Sequence, residues 1–159
     1  MKDRCIVLVA VVAGVMLLTS VASARPSATK QRVAITAKGT SHLSSSGRWV
    51  LEPLGAGPLE LDSGTGTSVI ARQRSVVRNG QSAQVVIWVS TSEGKRGSFV
   101  TRARIEHLDV EGYNVGTGTW QVVRGTGAYA GITGGGRVAN VTPMGRPWVE
   151  RDEGILIVP

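Results

Sequence analysis

Between Thr119 and Val138 the chain reads TWQVVRGTGAYAGITGGGRV, a short apolar run that breaks into glycines and then resumes. Gly125, Gly127, Gly131, Gly134, Gly135 and Gly136 all fall in that stretch. Glycine accepts positive φ and lets backbones approach closely, so the expected path is a strand end, a tight irregular turn and re-entry into another strand. Gly125, Thr126, Gly127, Tyr129 and Gly131 are then residues of a structural turn, with Tyr129 packing back to anchor it. A phosphate cradle does not fit. The spacing differs from the dinucleotide fingerprint, no βαβ unit surrounds it, and no Gly-Lys-Ser/Thr follows.

The rest of the chain repeats this punctuation. Short segments rich in Val, Ile, Thr and Trp alternate with Gly, Ser and Asn, and nowhere does a capped helical period last beyond about two turns. Eight strands are expected, near 32–39, 48–53, 66–78, 82–91, 97–108, 117–124, 135–142 and 148–157. Regular short strands with glycine turns predict an all-β fold, an eight-stranded antiparallel barrel or, alternatively, a β-sandwich. Residues 54–65, with their prolines and glycines, read as an ordered surface loop near the mouth of the fold.

Asn79-Gly80 is the strongest short hairpin signal and sets a register in which Arg74 opposes Val85 and Ala71 opposes Trp88. A second turn at Glu93-Gly94 places Trp88 opposite Phe99 and Val86 opposite Thr101. Side chains alternate faces along a strand. One face therefore carries Trp88, Phe99, Thr101, Ala103, Ile105 and His107, together with Gln73, Ser75 and Gln84. The other carries Arg72, Arg74, Arg102 and Arg104 among Val85, Ile87 and Val100. Four arginines are costly to bury, so the tryptophan face is expected inside. The apolar residues between the arginines call for a cover, from a second sheet or another subunit.

The first 24 residues read as a cleaved export signal: Lys2 and Arg4, an apolar run from Cys5 to Leu18, and an A-x-A site ending at Ala24. Residues 25–31 follow as a flexible leader and 32–159 as a single domain, which makes the protein secreted. The only cysteine, Cys5, leaves with the signal, so burial rather than disulfides must stabilise the fold. Cleavage takes the formal charge from +7 to +6. That balance suits an anionic surface polymer; aromatics are too few and scattered for a specific nucleic-acid platform.

The run Trp120-Gln121-Val122-Val123-Arg124-Gly125-Thr126-Gly127-Ala128-Tyr129, followed by Gly134 to Gly136, resembles the strand-turn-strand signature of the dirigent and allene oxide cyclase barrel superfamily. It is also similar to small secreted actinobacterial proteins of unknown function. The close resemblance spans Trp120 to Gly136. It implies an eight-stranded barrel, frequently a homotrimer, with a central apolar pocket. The matched residues belong to the turn, so no catalytic residue carries over.

Candidate chemistry is sparse. His42 lies in a Ser-rich loop, and His107 falls at a strand end on the inner face. Two histidines without cysteine offer no zinc spacing, so no metal or cofactor is expected. Glu150 and Asp152, near Arg146 and Arg151, read as a solvated edge with ion pairs; Asp109 and Glu111 share a strand face or a turn. Asn140-Val141-Thr142 fits a glycosylation sequon. Trp49, Trp88, Trp120 and Trp148 fall one to a strand. Trp88, Phe99, His107, Gln84 and Trp120 are the candidate ligand-binding residues, for a small apolar or aromatic molecule. The expectation is a binding module rather than an enzyme, with a dirigent- or cyclase-like enzyme and a polymer-binding surface protein as alternatives.

Overall fold

Asn79 (φ 50°) and Gly80 (φ 80°) form the two-residue turn expected of them, in the left-handed region that Asn and Gly tolerate. From it the strands pair as far as Arg72 opposite Ile87. There a bulge leaves Ala71 unpaired, so Trp88 faces Ile70 rather than Ala71. The next hairpin turns two residues later than expected, at Lys95-Arg96, with Gly94 opposite Gly97. The Arg96 N–H donates to Asp62 Oδ2 at 3.3 Å and pins the turn there. Trp88 therefore opposes Ala103, not Phe99, and Val86 opposes Ile105, not Thr101. That displacement is an even number of positions, so every side chain keeps its face.

The computed structural model describes residues 27–41 and 44–159; residues 1–24, read above as an export signal, and His42 lie outside the described residues. The strands are β1 (Thr29–Gly39), β2 (Ser46–Pro53), β3 (Asp62–Arg78), β4 (Gln81–Gly94), β5 (Gly97–Val110), β6 (Tyr113–Gly125), β7 (Thr133–Pro143) and β8 (Val149–Val158). Each pairs antiparallel with the next, and β8 pairs back to β1 from Thr29–Val158 to Lys38–Val149. The result is one closed ring of eight antiparallel strands with no free edge. β1 starts inside the stretch read as a flexible leader. Gln31 is buried there, its Nε2 donating to Leu59 O at 2.9 Å and its Oε1 accepting from Leu59 N at 2.7 Å.

Trp88, Phe99, Thr101, Ala103 and Ile105 face the inside of the ring, while Arg72, Arg74, Arg102 and Arg104 are exposed outside. No second sheet covers the arginine face among the described residues. Arg78 instead pairs with Glu106 across the outer face of β4 at 3.1 Å, where Ala83 and Val85 are buried. Part of the apolar surface thought to need another layer is covered within the chain itself.

Candidate functional site: a lumen plugged at one end

The two ends of the ring are built differently. At one end Leu59, from the 54–61 segment, and Tyr129 and Ile132, from the glycine-rich segment, turn inward. The 54–61 segment is a surface loop as expected, exposed except at Leu59, which is buried in the core cluster at the end away from the large cavity. A 3-10 turn, Gly127–Tyr129, lies against the β4–β5 turn, with Ala128 N donating to Arg96 O and Thr126 N to Ser98 O, each at 2.8 Å. Tyr129 is 1% exposed, and its ring meets Phe99 edge-on at 5.0 Å. Phe99 in turn meets Trp49 at 5.1 Å. The Tyr129 hydroxyl donates to Asp62 Oδ2 at 2.8 Å. Burial raises the Asp62 pKa, but the bonds from Tyr129 and from the Ser63 and Arg96 amides outweigh it and hold the carboxyl below its usual range. Tyr129 thus packs from the turn onto Phe99 and Asp62 at this end of the ring.

Beyond this plug the interior is hollow. A cavity of about 700 Å³ reaches toward the opposite end, walled by Trp88, Ala103, Trp120 and Trp148. Ala103 sits between the tryptophans, paired with Trp88 on one side and Trp120 on the other, so its short side chain leaves the space open. The Trp120 indole N–H donates to Arg137 O at 3.1 Å and that of Trp148 to Ser44 O at 2.9 Å, which fixes both rings. A niche of about 40 Å³ adjoins the cavity, sharing Ser68, Ser90, Thr101, Trp148, Glu150 and Asp152 with it.

The polar wall is where sequence reasoning went wrong. Glu150 and Asp152 do not form a solvated edge: both line the cavity, and Asp152 is 8% exposed. Arg151, the neighbour expected to pair with them, points outward and pairs with Glu153 at 2.8 Å. Burial first, and the Glu150 charge second, push the Asp152 carboxyl up to about 9. Burial raises Glu150 too, partly offset by the Asn140 amide donating to Oε2 at 3.5 Å. A period-two signal was available in the sequence. Glu150 and Asp152 share parity with Leu156 and Val158, both buried, whereas Arg151 and Glu153 occupy the other face.

His107 lies on the same wall, and its state follows from its neighbours. Asn114 Nδ2 donates to Asp109 Oδ1 at 2.8 Å, so Asn114 Oδ1 is the atom turned to His107 Nδ1, also at 2.8 Å. Nδ1 must then carry the proton. Burial holds the imidazole pKa below its usual value despite the opposing pull of Asn114 and Asp109. A neutral ring results, with Nε2 as a bare acceptor. Gly116 makes this arrangement possible, since a Cβ there would strike Asn140 Oδ1 and the His107 ring.

Of the five residues singled out for ligand binding, Trp88, His107 and Trp120 line the cavity. Phe99 is buried in the plug. Gln84 is exposed where the β3–β4 hairpin projects, accepting from Gln73 Nε2 at 2.6 Å, and is not on the cavity wall. Trp148 joins the wall with Trp88 and Trp120, and Glu150, Asp152 and Asn140 line it too, a role the sequence did not assign to these three. The described residues contain no group of three or more His, Cys, Asp or Glu side chains placed to hold a metal ion. No protein-family model, curated protein or solved structure matches the chain.

Proposed function

We propose that this is a secreted eight-stranded barrel that carries one small, largely apolar or aromatic molecule in its lumen. The observation that carries the reading is the cavity of about 700 Å³ with three tryptophans and a few convergent polar groups on its wall. Small-molecule sites have this size and this mixture, and eight strands give an interior wide enough for one such ligand. The glycine-rich turn and the strand count are those implied by the resemblance to the dirigent and allene oxide cyclase superfamily, and they support the same reading.

Nile red, a neutral apolar probe, is expected to bind with quenching of tryptophan fluorescence and no dependence on salt. Trp88→Ala should weaken the probe about tenfold, the scale of one lost aromatic wall. Ala103→Trp should abolish binding by filling the space between Trp88 and Trp120. A probe response that survives Ala103→Trp would place the binding elsewhere and end this reading.

An enzymatic alternative rests on the neutral His107 and the protonated Asp152 facing one cavity, where they could serve as base and acid. Turnover of a small substrate, lost in His107→Gln, is its test. The polymer-binding alternative rests on the exposed Arg72, Arg74, Arg102 and Arg104. It predicts salt-dependent elution from heparin that Arg72→Glu with Arg104→Glu removes while the Nile red response stays.

A further inference from the structure

We propose that the lumen selects an organic cation: a primary or secondary amine on an apolar body, its ammonium seated against Glu150 and Asp152. The inference rests on the ligand-carrying reading above and specifies its chemistry.

Three side-chain atoms are buried without a hydrogen-bond partner among the described residues: His107 Nε2, Asn140 Oδ1 and Asp152 Oδ1. All three belong to residues of the cavity wall. His107 Nε2 and Asn140 Oδ1 are acceptors as their neighbours fix them, and the Asp152 carboxyl, protonated in the empty site, becomes one when a cation beside it displaces its proton. Asp109 and Asn114 force the His107 proton onto Nδ1. The Asn140 amide nitrogen is turned to Glu150, which leaves its oxygen free. Orphaned acceptors ask for a ligand that brings N–H donors.

Charge points the same way. Among the described residues the large cavity is walled by two acidic side chains, Glu150 and Asp152, and by no lysine or arginine. Arg48 borders only the small niche and is itself exposed. Two acidic side chains on one lumen wall weaken the empty fold, because burial and the Glu150 charge both oppose ionisation of Asp152. A cation between them relieves that repulsion and satisfies their lone pairs. An ammonium carries up to three donors, and Trp88, Trp120 and Trp148 supply an aromatic wall for the apolar body. A neutral alcohol would leave the carboxyls unrelieved, and an anion would add to the repulsion.

The test is calorimetric titration of the whole chain at pH 7.5 with 4-phenylbutylamine, 4-phenylbutanol and 4-phenylbutyrate, which share one body and differ in charge. The amine is expected to bind at least about tenfold more tightly than the alcohol, and the acid most weakly. Asp152→Asn should bring amine and alcohol within about threefold of each other without weakening the alcohol. Glu150→Gln is the second variant, with the same expectation, should the first fail to fold. An amine no tighter than the alcohol, or a preference that survives both substitutions, overturns the inference. If all three compounds fail while Nile red still binds, the cation inference falls and the carrier reading stands. If Nile red fails as well, both fall.

Discussion

Asp152→Asn is expected to stabilise the protein, and by an amount that grows with pH. Asp152 keeps its proton in the folded chain up to about pH 9, whereas in the unfolded chain it ionises at its ordinary value of 3.8. Between those limits the unfolded state has released a proton that the folded state still holds. Its contribution to stability is therefore complete below about pH 4 and declines as pH rises toward 9, by up to about 1.4 kcal/mol per unit. Asparagine has the same shape and does not titrate, so the variant escapes the decline. Water reaching the cavity removes part of the linkage, so the expected gain at pH 8 is about 2–4 kcal/mol, a rise in Tm on the order of 10 °C. At pH 4 the two proteins should nearly coincide. Asp62 and His107 work in the opposite direction in both. Their folded pKa values are depressed, so as pH falls the unfolded chain takes up protons first and stability drops. Urea unfolding at pH 4, 6, 8 and 9 measures the effect. Parallel profiles for the two chains would mean that Asp152 ionises normally in the fold.

Tyr129→Ala should be among the most damaging single changes available. It removes a ring that is 1% exposed and packed on Phe99, which costs about 3–5 kcal/mol by lost burial and the cavity left behind. It also strips Asp62, buried at 5% exposure, of its only side-chain donor among the described residues. Domains of this size have a total stability of about 5–15 kcal/mol, so a large share of it goes. Tyr129→Phe separates the two causes. The ring stays, the hydroxyl goes, and the expected loss is about 1–3 kcal/mol, borne by the carboxylate left short of a partner. Denaturant midpoints of the two variants should differ accordingly. Equal losses would mean that the hydroxyl, not the ring, holds the plug, and a loss under about 1 kcal/mol for alanine would mean that there is no plug to hold.

Much of the strand layout was readable because strands carry a period of two and turns carry their own residues. Asn79-Gly80 fixed the central register down to Arg72 opposite Ile87. What it missed is instructive. The bulge at Ala71 has no signature of its own, and the Lys95-Arg96 turn is set by Asp62, a residue distant in sequence. The inner face of β4 and β5 still came out correctly, because their slip is even, whereas the one-residue bulge reverses parity in β3 before Ala71. Phe99 and Gln84 share that inner face yet do not share the cavity. One is under the plug and the other projects beyond the ring, and height along an axis is not written in alternation.

The carboxyl pair shows the same boundary from the other side. Asp and Glu beside arginine in a strand read as an exposed, ion-paired edge, since charges are rarely buried. In a closed ring there is no edge, and parity sends Glu150 and Asp152 inward with Leu156 while Arg151 goes out to Glu153. The order of strands, the turns, and which residues travel together on one face were local properties, carried by glycines and by alternation. Whether those faces enclosed a hollow, which end was plugged, and which polar groups met inside depended on closure of β8 onto β1 and on Tyr129 reaching Asp62. Those contacts join residues far apart in the chain, and a pattern that repeats every two residues holds no information about them.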